Sequence, residues 1–390
     1  MSKNVLLTYT WNRVAYNILR SLSRRHLDVW LADANKFSMS RFSKYAAGFC
    51  LYPSFYRNPQ AFIERTKEII LQKKIKVYLP VHEDIFVVSK YIEKFSSLDV
   101  IIPIECYEKL KFVHLKNQCS EYIKNLGIPV PITIQPKSYS EIKEFAEEVG
   151  FPLVFKEILS NSAKGIRYAN NFNEAKKYSN EMESNSFIVQ QYAKGTGYGV
   201  SILANHGELR AFFTHKRLRE KTYTGGTSTV RESVRNELLE NYAQRIVSEL
   251  EWHGVAMIEF KFNEKLKKGW FIEMNPRFWG SLALPIYAGV DFPFLLYQMA
   301  TEGDVKPVLS YRNGVVMKWI LGDVLASLDA MKYMGPKSFL TLFKRSDGYD
   351  DLYFDDPLPF FMQSAYYIIK FLKTWDVNPR EEGLLDIESL

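Results

Sequence analysis

Two runs decide the reading of this chain: Gly254-Val255-Ala256-Met257-Ile258-Glu259-Phe260-Lys261-Phe262 and, after Asn263 to Gly269, Trp270-Phe271-Ile272-Glu273-Met274-Asn275-Pro276-Arg277. Each is an apolar strand carrying a carboxylate. Period-two alternation puts Met257, Glu259 and Lys261 on one face of the first strand, and Phe271, Glu273 and Asn275 on one face of the second. The short turn between them makes an antiparallel pair whose acids converge. An unpaired charge inside such strands is costly, so the acids need a partner. Two carboxylates and an amide oxygen are hard ligands suited to Mg2+, which takes its remaining ligands from water and from substrate phosphates.

Upstream of the pair, the first hundred residues alternate strand and helix. Val5-Leu6-Leu7 and Val29-Trp30-Leu31-Ala32 read as strands flanking a helix from Val14 to Leu22. Ala61 to Leu71 continues as helix, Val77-Tyr78-Leu79-Pro80 as strand and Phe86 to Phe95 as helix. That order implies a parallel sheet. The turn after the first strand, Thr8 to Arg13, has no glycine, which argues against a dinucleotide site. Asp33, at the end of the second strand, then reads as a surface aspartate. A helix from Lys116 ends at Gly127, Ile128-Pro129-Val130-Pro131 is forced to extend, and a second helix runs from Ser140 to Val149. Strands follow at Pro152 to Lys156 and Phe187 to Gln191. Gly195, Gly197 and Gly199 then precede a hairpin, Val200 to Leu203 and Leu209 to Phe213, turned at His206-Gly207.

The ordered set resembles the ATP-grasp superfamily. Glu273-Met274-Asn275-Pro276-Arg277 is similar to the E-x-N-x-R strand end of those enzymes, and Glu259 falls where their other metal-binding acid sits. Lys116 and Lys156 resemble the two ATP-contacting lysines, and Ser160-Asn161-Ser162-Ala163-Lys164-Gly165 the phosphate-covering loop, though with a single glycine. Gln190-Gln191-Tyr192-Ala193 resembles the hinge whose backbone faces adenine, with glutamines where glutamate is frequent. The resemblance covers about residues 1 to 300, including Ser40 to Tyr45.

It implies an α/β N-terminal parallel-sheet domain (1–110), a two-lobed α+β ATP-grasp domain (111–304, lobes about 111–190 and 191–304) and a mostly helical C-terminal extension (305–390). The metal ligands would be Glu259, Glu273 and Asn275. The nucleotide would meet Lys116, Lys156, Ser160, Lys164, Gly165 and Gln190 to Ala193, while Arg217 and Arg277 would face the reacting groups. Tyr223 to Ser228 would be a loop closing on substrate. The implied activity is ligation: ATP and Mg2+, with Mn2+ as a substitute, activate a small-molecule carboxylate as an acyl phosphate that an amine captures. A bicarbonate-activating carboxylase, a carbamoyl-phosphate-forming enzyme and an ATP-binding regulator without turnover are the alternatives.

Composition fits this and narrows the rest. In a chain of 390 residues with 47% apolar and 24% charged side chains, two or three domains are expected at roughly 150 residues each. The net charge of +7 is spread among acids, with no basic arm, so nucleic acid is not an expected partner. Cys50, Cys106 and Cys119 form no C-x-x-C pair, and the start is too short in apolar residues for a signal-peptide core, so the expected setting is the cytoplasm. No run reaches the roughly 18 apolar residues of a spanning helix. Leu358 to Leu372 comes nearest and reads as a buried amphipathic helix rather than a membrane-surface one. P-loop, nucleophile-elbow and H-E-x-x-H motifs are absent. The acidic stretch Asp347 to Asp356 suggests no chemistry.

Overall fold

The computed structural model describes residues 3–158, 166–182, 187–222, 225–335 and 346–375, with 385 and 387. The N-terminal layer is β1 (Asn4–Leu7), α1 (Arg13–Ser23), β2 (Asp28–Asp33), β3 (Gly48–Leu51), α2 (Pro59–Lys73), β4 (Val77–Leu79) and α3 (Asp84–Lys90). Its four strands are all parallel in the order β3-β2-β1-β4. Leucine and valine fill both faces of β1 because α1 covers one side and α2 and α3 the other. Asn12 starts α1 by accepting from the amides of Val14 (2.9 Å) and Ala15 (3.2 Å). Two details depart from the sequence reading. β3 was not foreseen, and Asp33 is buried because its carboxylate accepts from the Asn35 amide at 2.8 Å and closes the turn after β2.

Helices α4 (Tyr107–His114) and α5 (Lys116–Asn125) lead into a small sheet of β5 (Thr133–Ile134), β6 (Leu153–Glu157), β7 (Arg167–Ala169) and β8 (Phe187–Gln191), in the order β5-β8-β6-β7. Helices α6 (Tyr139–Val149) and α7 (Phe172–Glu181) cover it with a core of their own around Phe145, Phe155 and Phe187. The large mixed sheet follows: β9 (Thr196–Asn205), β10 (Glu208–Thr222), β11 (Gly225–Ser233), helix α8 (Glu237–Glu249), β12 (Gly254–Asn263) and β13 (Lys268–Asn275). Helices α9 (Ala283–Ala288) and α10 (Phe292–Glu302) pack beneath it. The expected loop from Tyr223 to Ser228 is corrected in part: Gly225 to Ser228 belongs to β11, with Thr222 opposite Gly225 and Glu220 opposite Ser228. Tyr223 and Thr224 lie outside the described residues.

The remaining elements, β14 (Val316–Lys318), α11 (Ile320–Met334), β15 (Gly348–Tyr349) and α12 (Leu358–Thr374), are not only helical. β14 and β15 extend the large sheet, whose order is β13-β12-β9-β10-β11-β14-β15. The acidic stretch then folds back onto α1. Asp356 accepts from the Tyr16 hydroxyl at 3.0 Å and from Ser43, Asp355 from Arg20 at 2.7 Å, and Asp351 from the first amides of α11 at 3.0 and 3.1 Å. Asp350 is fully buried between Arg231 and Arg13, the latter 3.4 Å away and stacked on Trp319.

Helix α12 reverses its expected burial. Leu358, Phe361, Ile368, Ile369 and Leu372 are each more than half exposed, while Gln363 docks on the Trp11 carbonyl at 3.2 Å. Tyr366 and Tyr367 meet Phe37 and Trp11 on the same side, so a polar-aromatic face makes the contact and the most apolar one does not. No helix among the described residues is long and apolar enough to cross a membrane.

Because Asp350 is the shared counter-charge of two buried arginines, Asp350→Ala should lose about 3–5 kcal/mol, the usual result of leaving a buried charge alone. Denaturant unfolding measures it; a loss under about 1 kcal/mol would mean that the pair carries little of the stability.

Candidate active site

The register of β12 and β13 sets Glu259 opposite Glu273 and Met257 opposite Asn275. A bulge then intervenes, since Phe260 faces Phe271 and leaves Ile272 as the extra residue. Phe271 therefore turns to the core face, against Phe260 and beside Met274, rather than sharing a face with Glu273 as strict alternation predicts. The bulge keeps the acid pair on one side and the aromatic pair on the other.

Two carboxylates facing each other across a strand pair repel. The structure surrounds them with donors. The Asn275 amide lies 3.4 Å from Glu259 Oε1 and 3.3 Å from Glu273 Oε1. Its nitrogen faces both acids, and a half-turn of the amide would present the oxygen to a cation instead. Arg217 pairs with Glu259 and, at 3.2 Å, with Glu220. Burial pushes Glu259 above the usual carboxylate range, with Glu273 adding to the push against the pull of Arg217. Burial also pushes on Glu273, but Lys116 and Lys156 outweigh it and hold that carboxyl low.

Lys156, at the end of β6, is buried and donates to Gln190 Oε1 at 2.6 Å, while Gln190 donates to Thr133 Oγ1 at 2.9 Å. Burial lowers Lys156 to about 8, against the opposing pull of Glu273. Gln190 is thus a positioning partner of Lys156. In the rest of that hinge the Gln191 amide is taken by the Ile132 carbonyl at 2.8 Å, Ala193 is buried, and Tyr192 is exposed beside Tyr168. Ser160, Lys164 and Gly165 lie outside the described residues.

How Arg217 reaches Glu259 is explained by what stands between them. Arg217 is on β10 and Glu259 on β12, with β9 in the middle. Gly199 of β9 pairs with Glu259 on one side and His215 on the other. A Cβ at Gly199 would lie 2.3 Å from the His215 ring, and one at Gly197 would lie 2.9 Å from Arg217 Cδ. Glycine leaves the groove through which the guanidinium crosses the middle strand. The repeated glycines at 195, 197 and 199 were the sequence signal for that close approach.

Arg277 does not join the acid pair. It donates to the Phe278 carbonyl at 3.1 Å and lines a cleft of about 550 Å3 together with Glu83, His114, Lys116, Glu273 and Asn275. Burial, with Lys116 and Arg277 nearby, lowers His114 to about 4, and burial with Arg277 also keeps His82 neutral. Glu83, His82 and His114 were missed in the sequence because His82-Glu83-Asp84 looks like an ordinary polar helix start and His114 a lone histidine in an apolar run, neither with motif spacing. Among the described residues no cluster of three or more His, Cys, Asp or Glu side chains could hold a metal. The acid pair and Asn275 bring two carboxylates and one amide together at one spot.

Residues 113–281 match the sequence model of the ATP-grasp domain. These residues form an ATP-grasp domain. Acetyl-CoA carboxylase 1 of Oryza sativa subsp. japonica is 26% identical over 139 residues, 33% of this chain and 6% of that protein. A carbamoyl-phosphate synthase of Methanobrevibacter smithii is 19% identical over 227 residues, 55% of this chain and 60% of that protein. The chain thus spans less than two thirds of these relatives. Among solved structures, a biotin carboxylase–β,γ-ATP complex from Campylobacter jejuni superposes with TM-score 0.65 at 15% identity, covering 81% of this chain and 74% of that one. N5-carboxyaminoimidazole synthetase from Staphylococcus aureus does so with TM-score 0.64 at 16% identity, covering 86% and 85%. At these identities the likeness is one of fold, and it extends beyond the grasp domain into the N-terminal layer.

The glycine groove can be tested without substrate. Gly199→Ala forces a methyl into the His215 ring and should cost roughly 1–3 kcal/mol, as overpacking does. Denaturant unfolding reads this, and unchanged stability would mean that β9 tolerates a side chain there.

Proposed function

We propose that this protein is an ATP-dependent carbon–nitrogen ligase that activates a carboxylate as an acyl phosphate and passes the acyl group to an amine, releasing ADP and phosphate. The observation that carries this is the paired, half-buried Glu259 and Glu273 with Asn275, held beside Lys116 and Lys156 in an ATP-grasp domain. In this reading residues 1–110 precede a grasp domain of 111–304 with lobes about 111–190 and 191–304, and 305–390 is an extension.

Glu259, Glu273 and Asn275 would hold Mg2+ or Mn2+, which supplies charge neutralisation for the phosphates. Lys116 and Lys156 hold the phosphate chain, joined by Ser160, Lys164 and Gly165, while the backbone of Gln190 to Ala193 faces the adenine. Arg217, anchored to the acid pair, faces the carboxylate as it attacks, and Arg277 offers a planar two-pronged donor to the anionic intermediate. The segment Tyr223 to Ser228 would keep water from the mixed anhydride, which would otherwise hydrolyse.

A second reading, bicarbonate as the activated acid, is favoured by the names of the relatives, which are carboxylases and a carbamoyl-phosphate synthase. A phosphate-release screen of carboxylates, bicarbonate and amines separates the two. The ligase reading expects release that needs both a carboxylate and an amine, and Glu273→Gln, folded as before, should abolish it. Release with bicarbonate alone or with biotin would favour the second reading, and ATP binding without turnover would contradict both.

Lys156 gives a pH test. Its ammonium is already weakened by burial, and phosphate would raise its pKa, so ATP binding takes up a proton near and above pH 8. ATP affinity should therefore fall as pH rises through about 8. Lys156→Met should bind more weakly and lose this slope. Calorimetry showing the same slope in the variant would remove Lys156 from the phosphate site.

A further inference from the structure

Helix α12 turns its most apolar side outward. Leu358, Phe361, Ala365, Ile368, Leu372 and Trp375 are all exposed, and their steps of three and four residues set them in one stripe along the whole helix. Ile369, 54% exposed, widens that stripe, and Trp375, 77% exposed, closes it at the C-terminal end. The opposite side of the helix is moored to the N-terminal layer. There Gln363 is buried against the Trp11 carbonyl, and the Tyr367 ring meets Trp11 edge-on at 6.5 Å. Tyr366 lies 6.3 Å from Phe37, itself 48% exposed, so the apolar surface continues off the helix onto the turn after β2.

Charge selects the partner for this surface. α12 contains no Asp or Glu, and its charged residues are Lys370 and Lys373. Lys373 is exposed beside Leu372, at the edge of the stripe. The Lys370 ammonium lies 5.6 Å from the centre of the Tyr366 ring, and that of Lys36 lies 5.3 Å from the centre of the Phe37 ring. Such a face suits the headgroup layer of an anionic bilayer. The stripe would enter the acyl boundary, the ammonium groups would extend to lipid phosphates, and the indole would sit at the interface.

Other occupants fit less well. The described end of the chain packs elsewhere, because Leu385 and Ile387 are buried in the core beside α4, where the Tyr107 hydroxyl donates to the Ile387 carbonyl at 2.7 Å. A second copy would set α12 against α12. A helix of this length is about 25 Å long and about 10 Å wide, so one face offers on the order of a few hundred Å2, against roughly 800 Å2 per partner in a stable interface. Nor does α12 carry an acid with which a copy's lysines could pair.

We propose that α12 is a membrane-docking helix: its stripe from Leu358 to Trp375 lies in the interfacial layer of an anionic lipid surface, and Lys36, Lys370 and Lys373 meet the lipid headgroups. Docking of this kind is independent of which acid and amine the cleft uses.

Co-sedimentation of the full chain with vesicles tests this, using phosphatidylcholine alone and an equal mixture of phosphatidylcholine and phosphatidylglycerol. The protein should bind the mixed vesicles, bind the neutral ones more weakly, and lose the difference at high salt, which screens the lysines. Ile368→Asp combined with Leu372→Asp changes only exposed positions, so the unfolding midpoint should hold while partitioning falls on the order of 10²-fold. Phe361→Ser is the second variant should the first not fold, and it should lose about tenfold. Lys373→Gln should lose roughly fivefold on the mixed vesicles and nothing on the neutral ones. No binding of the unaltered protein to the mixed vesicles, or undiminished binding by the folded stripe variants, would overturn the proposal. So would a dimer in sedimentation velocity that the stripe variants dissolve, with no vesicle binding, since the stripe would then belong to a second copy.

Discussion

Glu259 and Glu273 stand directly opposite each other on neighbouring strands, and like charges so placed repel. The fold can keep both largely out of water only by bringing cations and donors from elsewhere in the chain. Arg217 comes across a glycine groove, Lys156 from the small sheet, Lys116 from the start of α5, and the Asn275 amide from the same strand. The large sheet, the small sheet and α5 therefore all meet at the acid pair. In the proposed reading the same repulsion favours a divalent cation, which would relieve it more fully than Arg217 does.

The second organising contact lies at the other end of the large sheet. Asp350, Asp351, Asp355 and Asp356 tie the C-terminal segment to α1 and to the start of α11. Arg13 links this network to the grasp domain, because it also donates to the Gly280 carbonyl at 3.2 Å. The N-terminal layer is thereby fixed on the face of the grasp domain that presents Arg277 to Glu83. The described part of the C-terminal segment thus ties the N-terminal layer to the large sheet.

The acid pair was legible in the sequence because alternation and the E-x-N-x-R spacing are local. So were the parallel N-terminal sheet and the β9–β10 hairpin. Phe271 was placed on the wrong face because a bulge depends on pairing, which a single strand does not encode. The acidic stretch carried no signal because its partners, Arg13 and Arg20, lie more than three hundred residues away in sequence. Glu83 was hidden for the same reason: in Val81-His82-Glu83-Asp84 it looks like an ordinary helix-start acid, and only the cleft shared with Arg277 distinguishes it. Helix α12 was misjudged because apolar content indicates burial only when another surface is available to cover it, and here a polar-aromatic face makes the contact.

The proposed ligation turns on a single bond, the one between a carboxylate oxygen and the transferred phosphorus. A carboxylate substrate labelled with 18O in both oxygens, turned over with ATP and amine in ordinary water, tests it by mass analysis of the released phosphate. Acyl phosphate chemistry predicts one 18O atom in each phosphate released. Phosphate free of label would mean that water attacks ATP directly, and that the paired glutamates serve hydrolysis rather than ligation.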